Sequence, residues 1–320
     1  MSRFAGLIAG GTVVIALVAI HHGGRPDLGR TAEGFDGSAA FKDLEQLVAL
    51  GPRPPGSPAL ERARAYITAQ LGTASVEVQR DPFTAPTPVG PIPMVNIVGV
   101  LSGTSSNVVM VAGHYDTARL KGIAFVGAND GGSSAAELLE LARVLSRRRH
   151  VLTYWLVFFD GEEALEQWSP TDSLYGSRHL ADELAKDGRL AEVRALILVD
   201  MVAGRQLHIL EESNSTPWLR EIVLKKAREL GSARSFDGGQ FPVEDDHVPF
   251  VQKGVPAVDV IDLTPFETYH HTAQDTLDKC SAHSLAVVGR VVLATVEDLE
   301  HKFGLDRTDT QQPGGAGGQH

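Results

Sequence analysis

The stretch Leu152-Thr153-Tyr154-Trp155-Leu156-Val157-Phe158-Phe159 runs directly into Asp160-Gly161-Glu162-Glu163. A near-continuous apolar run of this length fits a strand buried on both faces, and the glycine with its carboxylates marks the strand's end. Outward from it the pattern recurs. Val108–Ala112 precedes Gly113-His114-Tyr115-Asp116, Ala195–Met201 carries Asp200, and Val255–Ile261 leads to Asp262. Val76–Gln79 and Val95–Leu101 read as further strands. Helical spacing occupies Ser133–Leu145, Ser173–Leu184, Pro217–Leu230 and Ala282–Phe303. Upstream, Ser38–Leu50 and Ser57–Leu71 are helices, each opening on a serine suited to capping. The proline-rich Gly51–Gly56 between them has to turn, since proline offers no amide hydrogen. Buried strands alternating with helices predict an α/β fold: a three-layer α/β/α sandwich around a central, mostly parallel mixed sheet.

The 320 residues are 43% hydrophobic, ample for one sizeable core, and no internal repeat is evident. A formal net charge of -11 argues against a nucleic-acid partner. The basic run Arg147–Arg149 closes a helix, where cations favour the negative terminus. Cys280 is the single cysteine, so no intrachain disulfide can form, and it reads as structural. Residues 4–20 are uncharged and apolar after Arg3, ~17 residues, at the short end of what spans a bilayer. They predict export, either as a membrane anchor or as a cleaved signal of a secreted or periplasmic protein. The expected organisation is therefore a signal or anchor over 1–24, a linker over 25–37, a catalytic domain over 38–304 and a disordered tail over 305–320. The oligomeric state leaves no mark on the sequence.

In a parallel sheet, ligands collect beyond the carboxyl ends of the strands. His114, Asp200, the Glu162-Glu163 pair and the Tyr269-His270-His271-Thr272 segment follow strands, and Asn129-Asp130-Gly131-Gly132 precedes a helix on the same edge. Each has a bland reading alone: a turn or cap for Asp130, a solvated face for the glutamates, a satisfied histidine. Their convergence on one rim points instead to a metal site. Carboxylates and imidazoles without thiolates suit zinc with an open coordination position. Adjacent glutamates leaving a strand end point in different directions, so one can bind metal while the other shuttles a proton.

The run Phe158–Ala164, the stretch Trp168–Leu180 and the block Asp245-Asp246-His247-Val248-Pro249-Phe250 with Gly254-Val255-Pro256 resemble animal-type glutaminyl-peptide cyclotransferases, members of the M28 zinc aminopeptidase family. Gly113–Asp116, Gly51-Pro52-Arg53 with Gly56-Ser57, and His271-Thr272 extend the likeness across residues 38–303. It implies the same sandwich fold and a zinc enzyme acting on peptide or protein N-termini. By that resemblance Asp130, Glu163 and His271 are zinc ligands, Glu162 is the acid/base residue, and Trp168 lines the substrate pocket. Asp200 and Asp245 match an active-site hydrogen-bond network. The two-zinc aminopeptidases use His114 and Asp200 for a second metal bridged by Asp130, so one zinc is expected and two are allowed.

This chain departs from the animal cyclases at substrate-side positions. Asp259 stands where they have histidine, His270 where they have tryptophan, and Glu244 where they have glutamine. The extra negative charge favours a cationic amine in either substrate class. The expected activity is cyclisation of N-terminal glutamine to pyroglutamate, with an aminopeptidase as the alternative. A third reading is a catalytically inactive binding ectodomain, but such relatives lose metal ligands and none is missing here.

Overall fold

The computed structural model describes residues 34–304. The leader or anchor expected at residues 4–20 lies outside them, as does the tail from 305; among the described residues no helix is long and apolar enough to cross a membrane. The elements follow in order as α1 (Gly37–Ala49), α2 (Pro58–Thr73), β1 (Glu77–Thr87), β2 (Gly90–Leu101), β3 (Val108–His114), α3 (Gly132–Leu145), β4 (Thr153–Phe159) and α4 (Tyr175–Lys186). Then come β5 (Val193–Asp200), β6 (Glu211–Glu212), α5 (Pro217–Glu229), β7 (Gln240–Phe241), α6 (Val248–Gln252), β8 (Ala257–Ile261) and α7 (Ala282–Gly304).

The main sheet has the order β1-β2-β4-β3-β5-β8. β1, β2 and β4 pair antiparallel, while β4-β3, β3-β5 and β5-β8 are parallel. It is the mixed, mostly parallel sheet expected from the apolar runs, and alternation along each strand divides the core. Val109, Val111, Leu156, Phe158, Ile197 and Val199 pack with α1, α2, α3, α5 and α7. Met110, Ala112, Val157, Phe159, Leu196 and Leu198 pack with α4 and α6 on the other face. Because β3, β4, β5 and β8 run parallel, their carboxyl ends open on one edge.

Local departures have local causes. The cap of α1 is Asp36, whose carboxylate accepts from Ser38 N and Ala39 N at 2.9 and 3.3 Å, in place of the expected Ser38. Asp36 outcompetes serine here because it lies one residue outside the first turn. The linker expected through residue 37 accordingly ends sooner: Phe35 is buried in the core and fills the space over Gly289. Ser57 caps α2 as expected, accepting from Leu60 N at 3.1 Å. β1 and β2 form a far longer hairpin than the short strands expected, paired from Glu77↔Val100 to Thr87↔Gly90. Prolines 82, 86, 91 and 93 hide it in the sequence. They are tolerated because β1 is an edge strand and β4 covers β2 only over Ile97–Leu101.

Glu137 on α3 is fully buried with neither carboxylate oxygen hydrogen-bonded. Burial, reinforced by Glu140, holds its carboxyl well above the ordinary 4.5. In the unfolded chain this group loses its proton above pH 4.5, whereas in the folded protein it keeps it. The unfolded state then binds fewer protons, and stability falls as pH rises, by about 1.4 kcal/mol per unit while the difference lasts. Glu137→Gln removes this titration. Thermal melts are expected to show the variant's advantage widening as the pH rises above about 5. An advantage that stays constant with pH would mean the carboxyl is not held neutral.

Candidate metal centre and substrate cavity

The parallel strand ends deliver the side chains, and buried carboxylates aim them. His114 ends β3 and Asp200 ends β5. Asp160, just beyond β4, accepts from Arg64 Nη2 and Val95 N, both at 2.8 Å. That bond set locks the turn before Glu162-Glu163. Gly161 takes φ 71°, and a Cβ there would strike Met94. Asp116 then accepts from Glu162 N and Glu163 N at 3.2 and 3.4 Å, which orients the pair. The Asp130 loop is held by Asp275, which accepts from Asn129 N at 2.8 Å and Asp130 N at 3.1 Å. Arg53, wholly buried, donates to Val126 O and Gly127 O at 2.7 and 3.1 Å. Gly131, at φ 75°, has no room for a Cβ against Asp116 O and His114.

These supports bring Asp130, Glu163 and His271 together. His271 Nε2 lies 3.1 Å from Glu163 Oε1 and 3.3 Å from Asp130 Oδ2. His114 Nε2 is 3.2 Å from both Asp130 Oδ1 and Asp200 Oδ1, and its Nδ1 is 3.9 Å from Glu162 Oε2. Among the described residues two overlapping donor groups result, Asp130 with His270 and His271, and His114 with Asp130 and Asp200. Asp130 Oδ2 is buried without a hydrogen-bond partner, although His270 Nε2 and His271 Nε2 stand 3.4 and 3.3 Å away. An orphaned carboxylate oxygen facing two imidazoles fits a cation there, while His271 Nε2 with Glu163 Oε1 and His114 Nε2 with Asp200 Oδ1 meet as hydrogen bonds. His271 (φ 52°) and Met201 after Asp200 (φ 49°) are left-handed, conformations costly for such residues and found where a site demands them.

The electrostatics also call for positive charge. Burial lowers the His271 imidazolium, but Asp130 and Glu163 outweigh it and push it up to about 10. Burial and Asp130 raise Glu163 to about 7 against the pull of His271. Burial raises Glu162 well above the usual carboxylate range; His114 opposes this, and Glu163, Asp245 and Asp246 add to it. His270 is lowered by burial and by the charge of His271, with Asp130 opposing. It stacks between Phe266 and His271, ring centres 3.8 and 3.7 Å apart.

A cavity of about 630 Å³ opens beside these groups. Trp168, Asp245, Glu244 and His270 line it with Glu162 and Glu163. Trp168 rides a loop fastened by Asp172, which accepts from Leu165 N, Glu166 N and Gln167 N at 2.8 to 2.9 Å. Asp259 does not line the cavity. Its strand position shares the face of Ala257, which packs toward α6. It lies buried there, 3.9 Å from Nδ1 of His247, whose Nε2 is 3.2 Å from Glu212. Asp259 is thus a buried neighbour of His247, under the electrostatic influence of Asp245 and Asp200. Sequence reasoning quoted Arg53, Asp116 and Asp172 within motifs without giving them a role and missed Asp275; their bracing work shows only once their backbone partners are known. It also missed Phe241, Phe266 and Glu267 on the cavity rim.

The sequence profile described as peptidase family M28 matches residues 96–296, from the middle of β2 to α7. The chain belongs to peptidase family M28. Within it, the glutaminyl-peptide cyclotransferase-like protein of Bos taurus is 35% identical over 274 residues, 76% of this chain and 71% of that one. Glutaminyl-peptide cyclotransferase of Drosophila melanogaster is 30% identical, covering 76% of each chain. Among solved structures, an Acidobacteriales bacterium glutaminyl cyclase superposes with a TM-score of 0.80 at 40% identity, over 84% of this chain and 96% of that one. A leucine aminopeptidase precursor from Bacteroides thetaiotaomicron reaches 0.73 at 23% identity, covering 82% and 97%, a likeness of fold alone.

Proposed function

We propose that this M28 chain is a zinc-dependent glutaminyl-peptide cyclotransferase. It converts an N-terminal glutamine of a peptide or protein to pyroglutamate and releases ammonia. The observation that carries the reading is the buried Glu162 carboxyl beside the Asp130–Glu163–His271 donor set, in a chain similar to glutaminyl cyclases over nearly their whole length. Asp130, Glu163 and His271 would hold one zinc, and the chemistry of two carboxylates and an imidazole fits that ion. When bound, zinc supplies Lewis-acid polarisation of the glutamine side-chain carbonyl.

The remaining work falls to the protein. Glu162 takes a proton from the α-amine as its nitrogen bonds to the side-chain carbonyl carbon, then delivers that proton to the departing ammonia. A carboxyl held up by burial can both accept and return a proton near neutral pH. Attacking and leaving groups sit on one residue, so a cavity that orients that residue contributes much of the acceleration. Asp245, whose Oδ2 is unpartnered, and Asp200 are suited to receive the amine. Trp168 offers a face to the chain that follows.

The His114–Asp130–Asp200 group favours a second reading, a two-zinc aminopeptidase in which Glu162 activates water against the first peptide bond. One experiment separates them. The zinc-loaded protein is given a glutaminyl peptide, and the products are weighed by mass spectrometry. Loss of ammonia from an otherwise intact peptide supports cyclisation; release of the first residue overturns it. The leader-like residues 4–20 support an exported enzyme, and its location is a matter for cell fractionation.

A further inference from the structure

The cavity is larger than one residue needs, and its outer wall has a chemistry of its own. Glu244 and Glu267 both line it and both are exposed. Among the described residues neither has an ion-pair or hydrogen-bond partner on its side chain, whereas most exposed glutamates of the helices are paired with lysine or arginine. Asp245, next to Glu244 and only 4% exposed, lines the same space and carries a buried, unpartnered Oδ2. Among the described residues no lysine or arginine lines the cavity. Beside the carboxylates stand Phe241 and Phe266, 57% and 53% exposed, large apolar faces that a folded chain leaves in water without structural need.

Carboxylates and open aromatic rings together form a receptor for a cationic side chain, through charge and through the ring faces. The first residue of a substrate reaches toward Glu162 and Glu163, so the residues behind it pass over this wall. Resting on the cyclisation reading, we propose that the site selects N-termini whose second or third residue is lysine or arginine and disfavours those with aspartate or glutamate there. Glu244 and Glu267 are the specificity-determining residues.

Across one or two such charges at a partly solvated distance, the preference for a lysine peptide over its aspartate counterpart is roughly ten-fold in kcat/KM or more. The test compares peptides that start with glutamine and carry lysine, alanine or aspartate next, at low salt and at about 1 M salt, where screening shortens to about 3 Å. A lysine-to-aspartate ratio of about ten or more that shrinks with salt and falls several-fold in the Glu244→Gln/Glu267→Gln variant supports the inference. The isosteric substitutions keep the wall's shape. If the alanine peptide is cyclised but the ratio stays within about two-fold and ignores both changes, the inference falls and the cyclase reading stands. If the first residue is released intact, the cyclase reading falls, and the same ratio measured on release decides the inference. Turnover of none of the peptides overturns both.

Discussion

Glu162→Gln is expected to lower kcat for a glutaminyl peptide by roughly 10³-fold, within the range that positioned acid/base groups contribute. The amide keeps the size and hydrogen-bonding reach of the carboxyl but cannot take the α-amine proton or return it to ammonia. Zinc content is expected to stay at the wild-type level, because Glu162 is not in the Asp130–Glu163–His271 set. The variant is expected to melt no lower than wild type, since a buried carboxyl crowded by Glu163, Asp245 and Asp246 is exchanged for a neutral group. KM is expected to move little, as the proton transfer belongs to the transition state. Steady-state kinetics with metal analysis and thermal melts reads all of this. A loss of activity that tracks a loss of zinc would reassign Glu162 as a ligand, and a drop below about ten-fold would remove it from the chemistry.

Removing the metal, or one of its ligands, is the second large effect. A chelator should abolish turnover and zinc should restore it. An ion that binds only the folded chain, at a hundred-fold excess over its Kd, stabilises by about 2.7 kcal/mol. For a domain of this size that is a fall of roughly 5–10 °C in Tm on chelation. His271→Ala and Asp130→Asn are expected to behave like the chelated protein and to show no further shift with chelator. Asp275→Asn separates ligand from support. Asp275 touches no donor atom of the set but accepts both amide hydrogens that place Asp130, and asparagine can accept only with one oxygen. Its expected effect is a 10- to 100-fold weaker zinc affinity with some activity regained at high zinc. Metal titration by calorimetry checks it: affinity equal to wild type would show that the Asp130 loop holds its place without Asp275. The metal count per chain also separates one occupied site from two.

Much of this protein is legible along the chain. An apolar run such as Leu152–Phe159 can be satisfied only with both faces covered, so a layered α/β architecture and a rim of strand ends follow from local pattern. His114, Asp130, Glu162, Glu163, Asp200 and His271 stand beside those ends, and they do meet. The long β1–β2 hairpin was not legible, because its prolines read as strand breakers until the open edge that tolerates them is known. Nor could the sequence tell which carboxylates are donors and which are braces. Asp116, Asp172, Asp262 and Asp275 look like Asp130 and Asp200 in sequence, yet each has both oxygens accepting from backbone amides, and Asp160 spends its Oδ2 on Val95 N, Arg64 and Tyr115.

Between His270 and His271 the tertiary structure brings both imidazoles to Asp130, but only His271 reaches Glu163. It does so from a left-handed backbone that neighbouring residues alone would not favour. Asp259 is buried for a similar reason: its strand register puts it on the face of Ala257, which its own sequence neighbours do not reveal. The amino-acid order thus determined the layers, the strand ends and the kinds of side chain gathered there, because hydrophobic period and turn chemistry act over a few residues. Which atoms face a common point was decided only by long-range packing and buried hydrogen bonds, which set side-chain direction at the ends of strands.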